Sequence, residues 1–315
     1  MRRRDVLNHD HIRHFRRRQS GPELLHAITD ELQPEHIVTH AHQGTALITG
    51  ASAGIGAVYA ERLAKRGYDL ILVARSRDRL VSLAERITNR THRGVEIIDV
   101  DLNEPTSLAT VEAKLKEDAS IALLVNSAGI GTHTPLLDSD VDAMTRMIAL
   151  NVTALTRLTY AAVPGFVSRG KGAIINISSI VSIAPEILNG VYGGTKAFVL
   201  SFSQSLHHEL ATKGVKVQAV LPGATATDFW QTGGLPLENL NPAIVMSAGD
   251  MVDAALSGFD RGELVTIPSL NDGAKWDAFE AARLAMLPEL STNTPARRYI
   301  ADNEPSGTHR NERAN

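Results

Sequence analysis

Over residues 45–267, short runs that are apolar at nearly every position alternate with longer stretches whose apolar residues recur every three or four positions. A strand without polar alternation has both faces covered, and helices between successive strands are what covers them. The alternation therefore predicts parallel strands. Seven are expected, at 45–49, 69–74, 94–100, 121–126, 173–178, 215–221 and 263–267. The first intervening helix carries Ile55, Val58, Tyr59, Leu63 and Ala64 at helical spacing and stops at Gly67. The second, 78–90, turns Leu80, Leu83, Ala84 and Ile87 inward. Pro105 opens the third, 105–118, at a position where its missing N–H costs nothing. Longer helices are expected at 140–163 and 192–212, and a last one at 250–259. The fold class that follows is α/β: a single doubly wound, seven-stranded parallel sheet with helices on both faces. No linker divides it.

Between the first strand and the first helix stands Gly50-Ala-Ser-Ala-Gly54-Ile-Gly56. Glycines at such a junction allow a tight turn and close approach of a phosphate to the backbone. The helix behind them offers free N–H groups and the positive end of its dipole. The context, strand before and helix after, is the one a dinucleotide-binding turn requires.

Tyr192 and Lys196 lie four residues apart where a helix begins, which puts both side chains on one face. A phenol titrates near ~10 in model peptides, and a fixed cation nearby lowers that value. The sequence therefore predicts a tyrosine tuned for proton transfer by Lys196. The pair alone fixes no function, since Tyr and Lys share a face on many solvated helices.

Taken in order, Thr49-Gly-Ala-Ser-Ala-Gly-Ile-Gly56, Asn126-Ser-Ala-Gly129, Asn151, Ser179, Tyr192-xxx-Lys196 and Pro222-Gly223 resemble the short-chain dehydrogenase/reductase family, over roughly 45–267. The resemblance implies a Rossmann-like domain and a hydride transfer between nicotinamide and a carbonyl or secondary alcohol. It also implies a catalytic group of Asn151, Ser179, Tyr192 and Lys196. In that group Tyr192 is the acid/base, Ser179 holds the substrate oxygen, and Lys196 tunes the tyrosine and bonds the nicotinamide ribose. Asn151 holds a water that links Lys196 to solvent. The cofactor contacts it implies are Gly50, Ser52, Ala53, Gly54, Ile55 and Gly56 on the turn, with Asp101 and Leu102 at the adenine. Asn126, Ala128 and Gly129 follow at the end of the fourth strand, and Pro222, Gly223, Thr225 and Thr227 flank the nicotinamide, beside Tyr192 and Lys196. Homo-oligomers are common in the family. A catalytically silent dinucleotide sensor on the same fold is the alternative, since fold alone does not fix function. Two departures stand out: Ser127, where a second asparagine is frequent, and the pair Gly193-Gly194, whose absent side chains are expected to widen the space beside the cofactor.

The end of the second strand separates the two nicotinamide cofactors. An acidic residue there binds the ribose hydroxyls of NAD and repels a 2′-phosphate. This chain has Arg75 and Ser76 instead, a guanidinium and a hydroxyl suited to that phosphate, so NADP(H) is expected over NAD(H). Substrate choice is expected in 227–248, a long connection that carries Phe229 and Trp230, together with Ile187 before the tyrosine and His133 after the fourth strand. Its apolar side chains suggest a hydrophobic carbonyl or alcohol.

Composition bounds the partners. There are 32 Lys+Arg against 35 Asp+Glu, so no overall basic field points to nucleic acid. There are no cysteines, which removes disulfides, thiolate nucleophiles and thiolate metal sites and suits a reducing, cytoplasmic setting. His207-His208-Glu209 lacks metal-ligand spacing, and no metal is expected. No apolar run reaches the ~20 residues that span a bilayer. Residues 1–42, rich in arginine and histidine, read as an atypical extension without a core of its own, with one weak amphipathic stretch at 22–32. Residues 43–288 read as the oxidoreductase domain and 289–315 as a polar tail.

Overall fold

A computed structural model describes residues 41–300. The expectations for 1–40, the stretch at 22–32 among them, and for 301–315 lie outside the described residues. The strands and helices follow the order β1 (Thr45–Thr49), α1 (Gly54–Lys65), β2 (Asp69–Ala74), α2 (Arg77–Thr91), β3 (Val95–Asp99), α3 (Pro105–Glu117) and β4 (Ile121–Asn126). Then come α4 (Val141–Ile148), a π-helical segment (Ala149–Ala154), α5 (Leu155–Ser168), β5 (Gly172–Ile177), α6 (Gly190–Leu210) and β6 (Val215–Val220). The chain closes with β7 (Thr225–Ala226), α7 (Phe229–Thr232), β8 (Met246–Ser247), α8 (Ala248–Asp260), β9 (Val265–Thr266) and α9 (Ala274–Ala285).

Seven strands form one sheet in the order β3-β2-β1-β4-β5-β6-β9, every pairing parallel. The period-two geometry of a strand sends successive side chains to opposite faces. Ile48, Leu70, Leu72, Leu123 and Ile175 meet Leu63 of α1, Leu80 of α2 and Met251 of α8 on one face. Leu47, Ile71, Val73, Leu124 and Ile174 meet Leu108 of α3, Leu158 and Phe166 of α5 and Leu206 of α6 on the other. All five residues of β1 are buried, as a central strand covered on both sides must be.

The strand order reverses at β1, between β2 and β4. In doubly wound sheets the crevice at the carboxyl ends of such strands is where ligands bind. The turns after β1 and β4 and the end of β5 open onto it.

Four elements differ from the sequence expectation. The helix expected at 140–163 continues to Ser168, past Pro164, and is interrupted by the π segment. The last strand is only two residues long, paired at Ala219↔Val265 and Val220↔Thr266. The connection at 227–248 is not structureless: it holds α7 and β8, which pairs with β7 just before it. α9 was not expected at all. It places Trp276 against Leu200, Ala219 and Leu221.

Candidate active site

The turn after β1 is built by backbone approach. Gly50 has φ +68°, and a Cβ there would lie 2.8 Å from Ala128 Cα, so the turns after β1 and β4 are pressed together. A Cβ on Gly56 would lie 2.4 Å from the Gly50 carbonyl oxygen, which lets α1 start directly against the turn. The hydroxyl of Thr49 joins the two turns. It accepts from the backbone N–H of Ser127 (3.1 Å) and Ala128 (3.0 Å) and donates to the Val125 carbonyl (3.4 Å). The Ncap of α1 is Ala53, which has no side chain to cap the helix, so the first-turn N–H groups face the crevice.

The other side of the crevice comes from β5 and α6. Asn189 caps α6 by accepting from the N–H of Val191 (2.9 Å) and Tyr192 (3.3 Å), so the helix starts two residues earlier than Tyr192. Ser178 Oγ donates to the Lys196 carbonyl (2.7 Å) and fixes α6 on the end of β5. The Lys196 ammonium then donates to the Ile177 carbonyl (2.9 Å) and lies 5.8 Å from the centre of the Tyr192 ring. Ser179 Oγ accepts from the Val181 N–H at 3.3 Å. Tyr192 packs against Phe229 of α7, ring centres 5.6 Å apart.

Asn151 stands in the π segment, a distortion that recurs at functional sites. Its amide acts like a backbone unit toward Ile130: Nδ2 donates to the Ile130 carbonyl (2.8 Å) and Oδ1 accepts from the Ile130 N–H (3.0 Å). Nδ2 also donates to Thr195 Oγ1 (3.1 Å), which in turn donates to the Tyr192 carbonyl (2.8 Å). A Cβ on Gly129 would lie 3.3 Å from Asn151 Oδ1 and 3.5 Å from Lys196 Nζ, so the two side chains converge beside that glycine.

These walls enclose a cavity of about 760 Å³ that runs from Arg75 past Tyr192 to Ile244. Its residues fit a dinucleotide: a helix N-terminus without a cap at the turn, and a buried ammonium with only a carbonyl partner beside the tyrosine.

The short chain dehydrogenase family model matches residues 44–234. The chain belongs to the short-chain dehydrogenase/reductase family. The chain is 49% identical, with a TM-score of 0.79, to a short-chain dehydrogenase from Sphingobium yanoikuyae in complex with NADPH, over 82% of this chain and 100% of that one. It is 45% identical, with a TM-score of 0.75, to the bulky-bulky ketone specific alcohol dehydrogenase from Comamonas testosteroni, with the same coverage. It is also 39% identical to the very-long-chain 3-oxoacyl-CoA reductase of Bos taurus, over 58% of this chain and 59% of that protein. The chain thus spans about three-fifths of the length of the curated relatives it matches. Among the described residues no helix is long and apolar enough to cross a membrane.

Of the residues expected from sequence, Gly50, Ser52, Ala53, Gly54, Ile55, Gly56, Arg75, Ser76, Asp101, Leu102, Ala128 and Gly129 line the cavity. So do Ser179, Ile187, Tyr192, Lys196, Pro222, Gly223, Thr225, Thr227, Phe229 and Trp230. Asn126 does not. It is buried in the sheet, where its Nδ2 donates to Asn176 Oδ1 (2.9 Å) and Thr159 Oγ1 (3.3 Å). His133 does not either: its Nδ1 is held at 2.9 Å from the Gly233 carbonyl, so it braces the end of α7. Gly193 and Gly194 do not widen the cavity. Cβ atoms there would meet Pro185 or open space. Among the described residues no cluster suits a metal ion. Sequence reasoning gave no role to Arg79 and Asp228, which line the cavity, or to the Thr49 hydroxyl and the Asn189 cap. The cap was legible from an asparagine directly before an amphipathic run.

The electrostatics also differ from expectation. Burial pushes the Tyr192 phenol up to about 12, and a hydrogen bond with Ser179 works against it. Burial pushes the Lys196 ammonium down to about 8. The phenol is therefore not lowered as expected, because folding removes both groups from water and disfavours the charged form of each.

Proposed function

We propose that this dehydrogenase is an NADP(H)-dependent reductase of bulky, apolar ketones. The observation that carries the reading is the division of the cavity. Its charged side chains are Arg75, Arg79, Asp101, Asp228 and Lys196, and the four besides Lys196 face one another in pairs, Arg75 with Asp101 and Arg79 with Asp228. Beyond Tyr192 the walls are Ile187, Leu188, Phe229, Trp230, Leu235, Leu240 and Ile244, with no charge. Such a wall suits apolar groups on both sides of a carbonyl and offers no cation to the phosphates of an acyl-CoA. The similarity to a bulky-bulky ketone specific alcohol dehydrogenase supports the same choice. Arg75 and Ser76, in place of an acidic residue, support NADP(H) over NAD(H).

When bound, the nicotinamide supplies hydride. The protein's part is position and protons. Ser179 and Tyr192 both line the cavity wall and together address one substrate oxygen. A phenol at about 12 is fully protonated near neutral pH, which makes it a donor to the carbonyl oxygen that gains negative charge as the ketone is reduced. Lys196 and Asn151 sit behind them, and the proton that leaves Tyr192 is replaced through that side.

The test is oxidation of NADPH against a panel of diaryl and branched ketones, short aldehydes and 3-oxoacyl thioesters, with NADH as control. Turnover of the bulky ketones with NADPH is expected. Equal rates with NADH, or turnover of thioesters alone, would overturn the reading. Tyr192→Phe is expected to abolish turnover and to retain NADPH binding; near-normal activity in that variant would remove Tyr192 from the chemistry and reopen the sensor alternative. Self-association belongs to the same proposal, supported by the exposed rings of Tyr160 and Phe198, which stack on the half-buried Phe202. So does a reducing, cytoplasmic setting, which a chain without cysteine allows.

A further inference from the structure

Arg79 has no role yet beyond its pairing with Asp228. It stands in the first turn of α2, four residues after Arg75, and both arginines line the cavity. Its guanidinium reaches over the mouth of the crevice to Asp228, Nη1 to Oδ2 3.3 Å. Asp228 is the Ncap of α7, the helix whose Phe229 packs on Tyr192 and whose Trp230 donates to the Thr225 carbonyl (2.9 Å). The chain just before it sits on the glycine turn: a Cβ on Gly54 would lie 3.0 Å from Thr227 Cγ2. One ion pair therefore spans from the adenosine end of the cofactor site to the wall of the substrate site.

The pair is weak. The two side chains are 60% and 75% exposed, and pairs of that kind contribute little in water. A phosphate monoester near neutral pH carries about −1.5 to −2 charges and three acceptor oxygens, and guanidinium binds it bidentately. A single carboxylate does not hold an arginine against that competitor. Arg77, between the two, is turned to Asp99 at 3.0 Å, so Arg75 and Arg79 are the arginines of this segment that face the cavity.

We propose that Arg79 is a second arginine for the 2′-phosphate of the cofactor, and that Asp228 competes with that phosphate for it. An NADP-type dinucleotide then releases the start of α7, and an NAD-type dinucleotide leaves it latched. This rests on the NADP(H) reading above and adds to it a link between cofactor identity and the substrate wall.

The experiment is calorimetric titration of the full chain and of Asp228→Asn, Arg79→Ala and the double variant with 2′,5′-ADP and with 5′-ADP. Both side chains are exposed, so the variants keep their fold, which circular dichroism checks. Asp228→Asn is expected to tighten 2′,5′-ADP by up to about fivefold, the ceiling for an exposed pair, and to leave 5′-ADP unchanged. Arg79→Ala is expected to weaken 2′,5′-ADP by about tenfold or more, the loss of one charge-assisted contact, and the double variant to match Arg79→Ala. Amide exchange over 229–235 is expected to rise with 2′,5′-ADP and not with 5′-ADP. Asp228→Asn weakening both nucleotides alike would make the pair a static clamp and overturn the proposal, as would exchange that does not distinguish the nucleotides. If the parent chain prefers 2′,5′-ADP but neither variant alters that preference, the proposal fails and the NADP(H) reading stands. If the parent chain shows no preference, both fail.

Discussion

Lys196 is the most expensive side chain in the site, and the substitution Lys196→Met measures its cost. The residue is 6% exposed, and its ammonium has one partner, the Ile177 carbonyl at 2.9 Å. Burial moves its pKa from 10.5 to about 8. The sign follows from proton counts. Between pH 8 and 10.5 the unfolded chain holds a proton on this lysine that the folded chain has released, so stability rises with pH across that window. Below it the folded protein carries the full penalty of the buried charge, about 3 kcal/mol at about 1.4 kcal/mol per pH unit. Methionine fills the same space without a charge. It forfeits the hydrogen bond to Ile177, about 1 kcal/mol. The variant is therefore expected to be about 2 kcal/mol more stable than the parent at pH 7, with the gain gone by pH 10.5 and slightly reversed above it.

Urea unfolding of the cofactor-free protein from pH 7 to 11 reads this directly. Tyr192, raised to about 12, adds an opposing slope above pH 10, where the unfolded chain loses a phenolic proton that the folded chain keeps. That slope is common to both proteins and cancels in the difference. A variant equal to or less stable than the parent at pH 7, or a difference flat in pH, would refute the claim that burial governs this lysine. Loss of turnover in the stabilised variant is expected alongside, a trade of stability against activity.

Three further outcomes follow from the geometry. Gly56→Ala puts a methyl 2.4 Å from the Gly50 carbonyl oxygen, and the turn must open; dinucleotide binding should weaken at least tenfold, with a loss of about 1–3 kcal/mol of stability, measured by titration and by urea unfolding. Thr49→Val keeps the shape but leaves the N–H groups of Ser127 and Ala128 without their acceptor; a loss of about 2 kcal/mol is expected, and a neutral variant would show that the hydroxyl does not hold the turns together. Phe229→Ala removes the ring that packs on Tyr192; kcat/KM for an aromatic ketone should fall about two- to tenfold, while affinity for NADPH stays within about twofold of the parent.

What the sequence disclosed, it disclosed where a short-range rule and the tertiary fold agree. The strands were legible because parallel strands are apolar throughout, and Leu47 and Ile48 are both buried although they point to opposite faces. The turn at Gly50 was legible because no other residue takes its conformation against Ala128 so readily. What was missed depends on long-range packing. The ring of His133 turns to Gly233, a hundred residues away, and no local pattern encodes that. α9 has alanine and charge around Trp276 and Phe279, and its position depends on the patch of Leu200, Ala219 and Leu221 it covers. The expected lowering of Tyr192 by Lys196 is not what governs the phenol. Burial governs it, which four-residue spacing does not report.

The π segment shows how such long-range terms assemble the site. A regular α-helix through 149–154 turns each side chain about 100° from the last; a wider π turn resets that phase and delivers Asn151 to Ile130. Because the Asn151 amide satisfies both backbone groups of Ile130, the loop after β4 is held as if by another strand, and Gly129 is fixed between Asn151 and Lys196. The bond to Thr195, and from Thr195 to the Tyr192 carbonyl, extends the same restraint into α6. Asn151 thus restrains Tyr192 through Thr195 and the Tyr192 carbonyl, without touching the cavity itself. The distortion of the helix is then the means by which a residue from the layer of α4 and α5 reaches a site built on the ends of β4 and β5.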